Sequence, residues 1–159
     1  MKKLKIYLDT SVISHLDAPE VPEKEADTLR LWEDIRLGKY DVVMSELTYS
    51  EVDRCPHEAK RLMMRSELAS IDSTYAEQTE EAERLAALYV EMGGLPPKSG
   101  DDAIHIAIAT IAGCDVVLSW NFKHIVNLRA LNAVDAVNIR EGYRTLRILS
   151  PTMILNEEE

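Results

Sequence analysis

Apolar residues fall along this chain in two rhythms, short unbroken runs and longer stretches spaced three and four apart. The first run, Lys5-Ile6-Tyr7-Leu8, stops at Asp9-Thr10-Ser11. Those last three are helix-capping types, so a strand is predicted to pass into a helix over 12–16. Pro19 and Pro22 mark a loop. Leu29, Trp32 and Ile35 then have the spacing of an amphipathic helix that Gly38 closes. Residues 41–44 read as a second strand. Helix is expected over 46–70, broken at Pro56, with Ile71 as a candidate short strand. Residues 74–92 read as one long helix ended by Gly93-Gly94. Residues 101–113, rich in Ala and Ile and apolar on more than one side, predict a buried helix. A strand over 115–119 of the kind found inside a parallel sheet, a helix over 127–141 and a last strand over 146–149 complete the pattern. Strands alternating with helices predict an α/β fold around a mainly parallel sheet. It is expected as one domain over 1–150, followed by a short acidic tail over 151–159 that ends in solvated Glu157-Glu158-Glu159.

Composition narrows the class. With 159 residues, 46% hydrophobic and 29% charged, the chain has the size and balance of one globular domain, which excludes a disordered or fibrous protein. No apolar run approaches the ~20 residues of a membrane span, and the start MKKLKIYLDT is a charged strand rather than a secretory signal. A cytoplasmic protein with no membrane partner is expected. Cys55 and Cys114 make neither a disulfide framework nor a zinc cluster and read as packing residues. The 18 basic and 28 acidic residues give a net charge of −10. That excess argues against a general nucleic-acid binder, which carries a basic face.

Candidate chemistry follows from topology, because sites in an open parallel sheet form beyond the carboxyl ends of its strands. Those positions hold Asp9, Thr10 and Ser11; Ser45 and Glu46, with Glu51 further along the helix; and Ser119, Trp120 and Asn121. The loop before the buried helix adds Asp101 and Asp102 at a helix start, where negative charge is favoured. Carboxylates that converge raise one another's pKa unless a cation joins them. Hard oxygen ligands suit Mg²⁺ or Mn²⁺, which can bind phosphate oxygens and lower the pKa of water. The set therefore fits metal-assisted phosphodiester hydrolysis. Taken singly, each residue also has a plainer reading: Asp9 as a helix cap, Asp101 and Asp102 as a first-turn pair, Glu46 and Glu51 as solvated positions. Convergence decides between them. His105 shares a helix face with Asp102, either as partner of a ligand carboxylate or as a packed core histidine. His15, His57 and His124 show no metal-ligand spacing, and Trp120 either stacks on a base or packs. Arg54, Arg61 and Arg65, spaced seven and four, make with Lys60 a basic patch that can meet RNA phosphates or an acidic partner, or simply be a solvated helix face.

These residues resemble a known family. Tyr7-Leu8-Asp9-Thr10-Ser11 is similar to the opening of a PIN domain, Ser45-x-x-Thr48-x-x-Glu51-Val52 to its second acidic motif, and 102–109 (DAIHIAIA) to its third. Leu118-Ser119-Trp120-Asn121-Phe122 stands where the family often has a Thr/Ser-x-Asp pattern. The resemblance implies a Rossmann-like, three-layer α/β/α domain with a Mg²⁺- or Mn²⁺-dependent ribonuclease site. It is nearest to the VapC-like toxins of type II toxin–antitoxin systems, usually dimers inhibited by a small antitoxin. It implies Asp9, Glu51 and Asp102 as the acidic core and metal ligands. Glu46 is a competing or supplementary second acid, and Asp101 a further candidate beside Asp102. Thr10 or Ser119 would bond a ligand carboxylate or a metal water. Asn121 departs from the pattern: an amide replaces a usual fourth acid, keeping a carbonyl oxygen but removing a charge. Two outcomes are expected, a metal-dependent endoribonuclease or a PIN-like domain that binds nucleic acid or protein without cutting. An aspartyl-phosphate phosphatase is disfavoured, because Ser11 occupies the position where such enzymes carry a second Asp.

Overall fold

Side chains alternate across a strand, so Ile6 and Leu8 point to one face of a sheet and Tyr7 to the other, and all three are fully buried. A strand buried on both faces needs helices on both faces. A computed structural model describes residues 2–157 and has this arrangement. Met1, Glu158 and Glu159 lie outside the described residues, and with them part of the terminus expected to be solvated.

Five strands, β1 (Leu4–Leu8), β2 (Tyr40–Ser45), β3 (Thr74–Ala76), β4 (Val116–Leu118) and β5 (Arg147–Leu149), form a sheet of order 3-2-1-4-5. Every pairing is parallel, and Ile6 stands opposite both Val42 and Val116. The helices are α1 (Thr10–Ser14), α2 (Pro22–Arg36), α3 (Glu46–Asp53), α4 (Glu58–Ala69), α5 (Glu80–Glu91), α6 (Gly100–Ile111), α7 (Leu128–Glu141) and α8 (Pro151–Glu157). Tyr7, Val43, Val117 and Ile148 bury one sheet face under α5, α6 and α7, with Leu85, Tyr89, Ile106 and Val134 opposite them. Ile6, Leu8, Met44 and Leu118 bury the other face against α1, α2, α4 and α8 through Ile13, Leu31, Trp32, Met64 and Ile154. The expected three-layer α/β/α domain with a parallel centre is the observed one. Among the described residues no helix is long and apolar enough to cross a membrane.

Several boundaries differ from the sequence reading. Pro22 opens α2 instead of lying in a loop, since its missing N–H falls where a helix has no internal acceptor. Residues 74–76 are the edge strand β3, paired to Val43, Met44 and Ser45. The helix expected from residue 74 starts only at Glu80, after the Thr79 side chain accepts from the Ala82 N–H. Ile71, the candidate short strand, is irregular and packs against the α2/α4 layer. The expected acidic tail begins with a helix: Pro151 opens α8, and Ile154 and Leu155 are buried.

One tight packing point gives a stability prediction. A Cβ built on Gly94 would lie 2.2 Å from the Ala133 Cβ and 3.3 Å from the Arg129 carbonyl oxygen, so α7 approaches this loop as only glycine permits. Gly94→Ala is expected to lower unfolding free energy by about 1–3 kcal/mol, read by urea denaturation. An unchanged midpoint would show that α7 moves aside freely.

Candidate active site

Three helix starts deliver polar groups to one edge of the sheet. Where β1 ends, the Asp9 side chain accepts from the Val12 N–H at 3.2 Å and caps α1. Where β2 ends, Ser45 caps α3 by accepting from the Thr48 N–H, and Thr48 in turn donates to the Leu8 carbonyl oxygen. Across the sheet, α6 starts at Gly100, so Asp102 lies in its first turn and His105 one turn further along.

Asp9 is 4% exposed. Burial raises its pKa above the usual carboxylate value; the neighbouring His105 and hydrogen bonds from Ser11, Ser119 and the Val12 N–H oppose that rise without cancelling it. Ser11 Oγ donates to Asp9 Oδ1 at 2.6 Å and itself accepts from the Trp120 N–H, tying the segment after β4 to the acid. Asp102 is half-buried, and its pKa is raised by burial and further by the charge of Asp9, with His105 and His124 pulling the other way. The two aspartates are thus an electrostatically linked pair. Asn121 Nδ2 donates to Asp102 Oδ2 at 3.3 Å, while Asn121 Oδ1 accepts from the His124 N–H. The amide in place of an acid acts here as a donor that holds Asp102.

Glu51 reaches the same edge through Thr10 and His105. His105 Nε2 and Thr10 Oγ1 both meet its Oε1, at 2.5 and 2.9 Å. Because an ionised carboxylate only accepts, His105 donates from Nε2. Burial pushes the Glu51 pKa up, but the His105 contact and the Thr10 bond outweigh it and hold the carboxyl below its ordinary range. On its other side His105 Nδ1 is 2.5 Å from Tyr7 Oη, which is 2.7 Å from Ser45 Oγ. Burial keeps the Tyr7 phenol protonated far above its usual range. A continuous chain, Ser45–Tyr7–His105–Glu51–Thr10, thus links both strand ends to α6.

Of the residues singled out from sequence, the structure brings Asp9, Glu51, Asp102, Asn121, Thr10, Ser119 and His105 together. Ser119 is fully buried, 3.5 Å from Ser11 Oγ, and accepts from the Asn121 N–H. It does not bring in Glu46, which is exposed and accepts from the Gln78 N–H beyond β3, nor Asp101, which is exposed. The basic patch also divides. Arg54 caps α3 and lies on a different element from α4. Lys60 donates to the Asp17 carbonyl oxygen and Arg61 to that of Cys55, while Arg65 pairs with Asp53. Trp120 is 6% exposed and donates to Thr28, so it packs. Cys114 is a buried free thiol, its pKa pushed up by burial to about 12.

Sequence reasoning passed over Tyr7 and His124 as site residues. His124 Nδ1 lies 3.4 Å from Asp102 Oδ2 and 3.0 Å from Ser99 Oγ. Both contacts use one nitrogen, so His124 cannot relay a proton from Ser99 to Asp102 as a hydrolase triad would. No local spacing announces these partners, which lie 25 and 22 residues from His124 in sequence.

Among the described residues no three His, Cys, Asp or Glu side chains converge as a ready-made metal site. The donor chemistry nevertheless fits a hard cation. Two acids of raised pKa, one charged against the other, supply oxygen ligands whose mutual repulsion a divalent ion would relieve. Mg²⁺ and Mn²⁺ accept few protein ligands and keep several waters.

A family model described as PIN domain matches residues 6–127. No curated protein matches the chain. Among solved structures, Mycobacterium tuberculosis VapC20, a Sarcin-Ricin loop cleaving toxin, is 20% identical, covers 74% of this chain and 91% of its own, and gives a TM-score of 0.55. The structure of VapBC2 from Rickettsia felis, bound to a DNA fragment from their promoter, is 9% identical, with coverage of 92% and 98% and a TM-score of 0.55. At these identities the likeness is one of fold.

Proposed function

The chain belongs to the PIN domain family, and from that membership we propose that its acidic edge hydrolyses RNA phosphodiester bonds with Mg²⁺ or Mn²⁺. The observation that carries the reading is the placement of Asp9, buried where β1 ends, and Asp102, in the first turn of α6, near enough for the charge of one to bear on the other. Asp9 and Asp102 would hold the ion. Bound there, it would neutralise charge on the phosphodiester and lower the pKa of a water for in-line attack, leaving 5′-phosphate and 3′-hydroxyl ends. Ser11 orients Asp9, and Asn121 orients Asp102. Glu51 is gripped through Oε1 alone, so Oε2 is the oxygen it has to offer the ion or a proton.

The VapC20 and VapBC2 likenesses support a narrower version: the chain is the toxin of a toxin–antitoxin pair, restrained by a small antitoxin protein. A homodimer working in the cytoplasm completes that version. The neutral Asn121 and the engaged Glu51 favour a second reading, a domain that binds nucleic acid or protein without cutting. One experiment separates them. The purified chain, given labelled RNA, is expected to cut it in Mn²⁺ and not in EDTA, and Asp102→Asn is expected to lower the rate at least ~100-fold. Equal cleavage by Asp102→Asn would end the catalytic proposal; no cleavage by either protein would leave the binding module.

A further inference from the structure

The single phenylalanine of the chain, Phe122, is 42% exposed. It follows Asn121, whose amide touches Asp102, and so stands at the rim of the acidic edge. Its neighbour Trp120 is locked from three sides: its N–H donates to Ser11, its indole N–H donates to Thr28, and its ring lies 5.6 Å from that of His15. The Phe122 ring meets the Trp120 ring edge-on at 6.2 Å, which fixes the exposed ring on a rigid base. The Lys24 ammonium stands 5.4 Å from the Phe122 ring centre and 5.6 Å from that of Trp120.

We propose that Phe122 and Lys24 form a stacking ledge for an unpaired RNA base and its phosphate, beside the acidic pair. The inference rests on the RNA-cleaving reading and adds a subsite to it. An unpaired nucleotide has two halves, and each finds its partner here: a flat base for the aromatic ring and a phosphate for the ammonium. The charge of the chain makes such a ledge necessary. At −10 the protein repels a polyanion at long range, so affinity has to come from short-range contacts that excess negative charge does not weaken. The arginines of the basic patch do little to replace it, since Arg61 and Arg65 are already bonded within the chain. Stacking also selects, because a base inside a duplex offers no free face. The ledge therefore directs the acidic pair to single strands and loops.

The test is direct binding of the full chain, in EDTA, to a labelled single-stranded oligoribonucleotide of about 12 nucleotides, read by fluorescence anisotropy. Phe122→Ala is expected to weaken binding about tenfold, and Phe122→Trp to match or exceed the parent. Phe122→Leu, apolar without a π face, is expected to behave like Phe122→Ala. Lys24→Gln is expected to lower the slope of log affinity against log salt by about one. A duplex of the same sequence is expected to be insensitive to the Phe122 substitutions. The proposal is overturned if Phe122→Ala binds like the parent, if Phe122→Leu binds as well as Phe122→Trp, or if the parent binds no single-stranded RNA. Acid-dependent cleavage in Mn²⁺ by a parent whose binding ignores Phe122 would sink the ledge and leave the nuclease reading standing.

Discussion

Asp9→Asn is expected to abolish RNA cleavage while making the metal-free protein more stable. The loss, at least ~100-fold, follows from removing one of the two oxygen donors that would hold the cation. The gain follows from burial. Asp9 is almost wholly enclosed, and its raised pKa means that its ionised form is disfavoured in the folded chain relative to the unfolded one. Asn keeps an oxygen that can accept from Ser11 and from the Val12 N–H, so the α1 cap survives while the buried charge goes. Removing the Asp9 charge also relieves Asp102, whose pKa it raises. A rise of roughly 2–4 °C in melting temperature corresponds to ~1 kcal/mol in a chain of this size.

The sign with pH is specific. A carboxyl whose folded pKa is raised contributes stability that is fully present below its unfolded pKa and is lost as pH rises through the folded one. The advantage of Asp9→Asn should therefore be largest near neutral pH and vanish below the ordinary carboxylate range. Saturating Mn²⁺ is expected to stabilise the parent and not the variant, reversing their order. A variant less stable than the parent at neutral pH without metal would show that Asp9 serves the fold rather than the chemistry.

Part of this site was legible in the sequence and part was not, for reasons that lie in helix phase and sheet pairing. Asp9, Asp102 and Asn121 could be found because each adjoins an element with a strong signal: the apolar run 5–8, the apolar helix after residue 101 and the run 116–118. The choice between Glu46 and Glu51 needed phase. Five residues at ~100° each turn the helix by about 140° net, so the two acids cannot share a face. Glu46 at the first position of α3 turns to Gln78, and Glu51 turns to α6. Asp101 and Asp102 are likewise ~100° apart, whereas Asp102 and His105 are separated by only ~60°. The β3 strand was illegible because Thr74-Tyr75-Ala76 has little apolar alternation. It is a strand through pairing with Val43, Met44 and Ser45, a non-local cause. Arg54 does not share a helix face with Arg61 and Arg65, because the chain breaks at Pro56 between α3 and α4 and a spacing of seven carries no meaning across the break. Tyr7 looked like an ordinary core residue, and its hydroxyl acquires a role only when α6 brings His105 over β1.

That buried link carries the second large prediction. His105→Ala removes the group between Tyr7 and Glu51, leaving a fully buried phenol short of one side-chain partner, a carboxylate with Thr10 as its remaining donor, and a void. An unfolding free energy lower by about 2–4 kcal/mol is expected, combining an unsatisfied buried polar group with an unfilled cavity. His105→Gln, which can still donate to Glu51, is expected to recover part of it. Tyr7→Phe alone should cost about 1–2 kcal/mol. Because the two residues share one bond, the double variant should lose less than the sum of the singles, a coupling that chemical denaturation measures. Strict additivity would show that the histidine merely fills space. The Glu51 end has its own pH signature. A carboxyl held below its ordinary pKa contributes stability above its unfolded value and loses it as pH falls through the folded one. The deficit of His105→Ala should accordingly shrink on acidification, opposite in sense to the way Glu51 would behave if it were buried without a donor. Cleavage should fall in His105→Ala by about 10–100-fold, the usual effect of freeing a ligand carboxylate from its supporting bond. Mn²⁺ affinity, measured by calorimetry, should weaken with it and recover in His105→Gln. Lost stability with unchanged metal affinity and rate would confine His105 to the core and take Glu51 out of the working set.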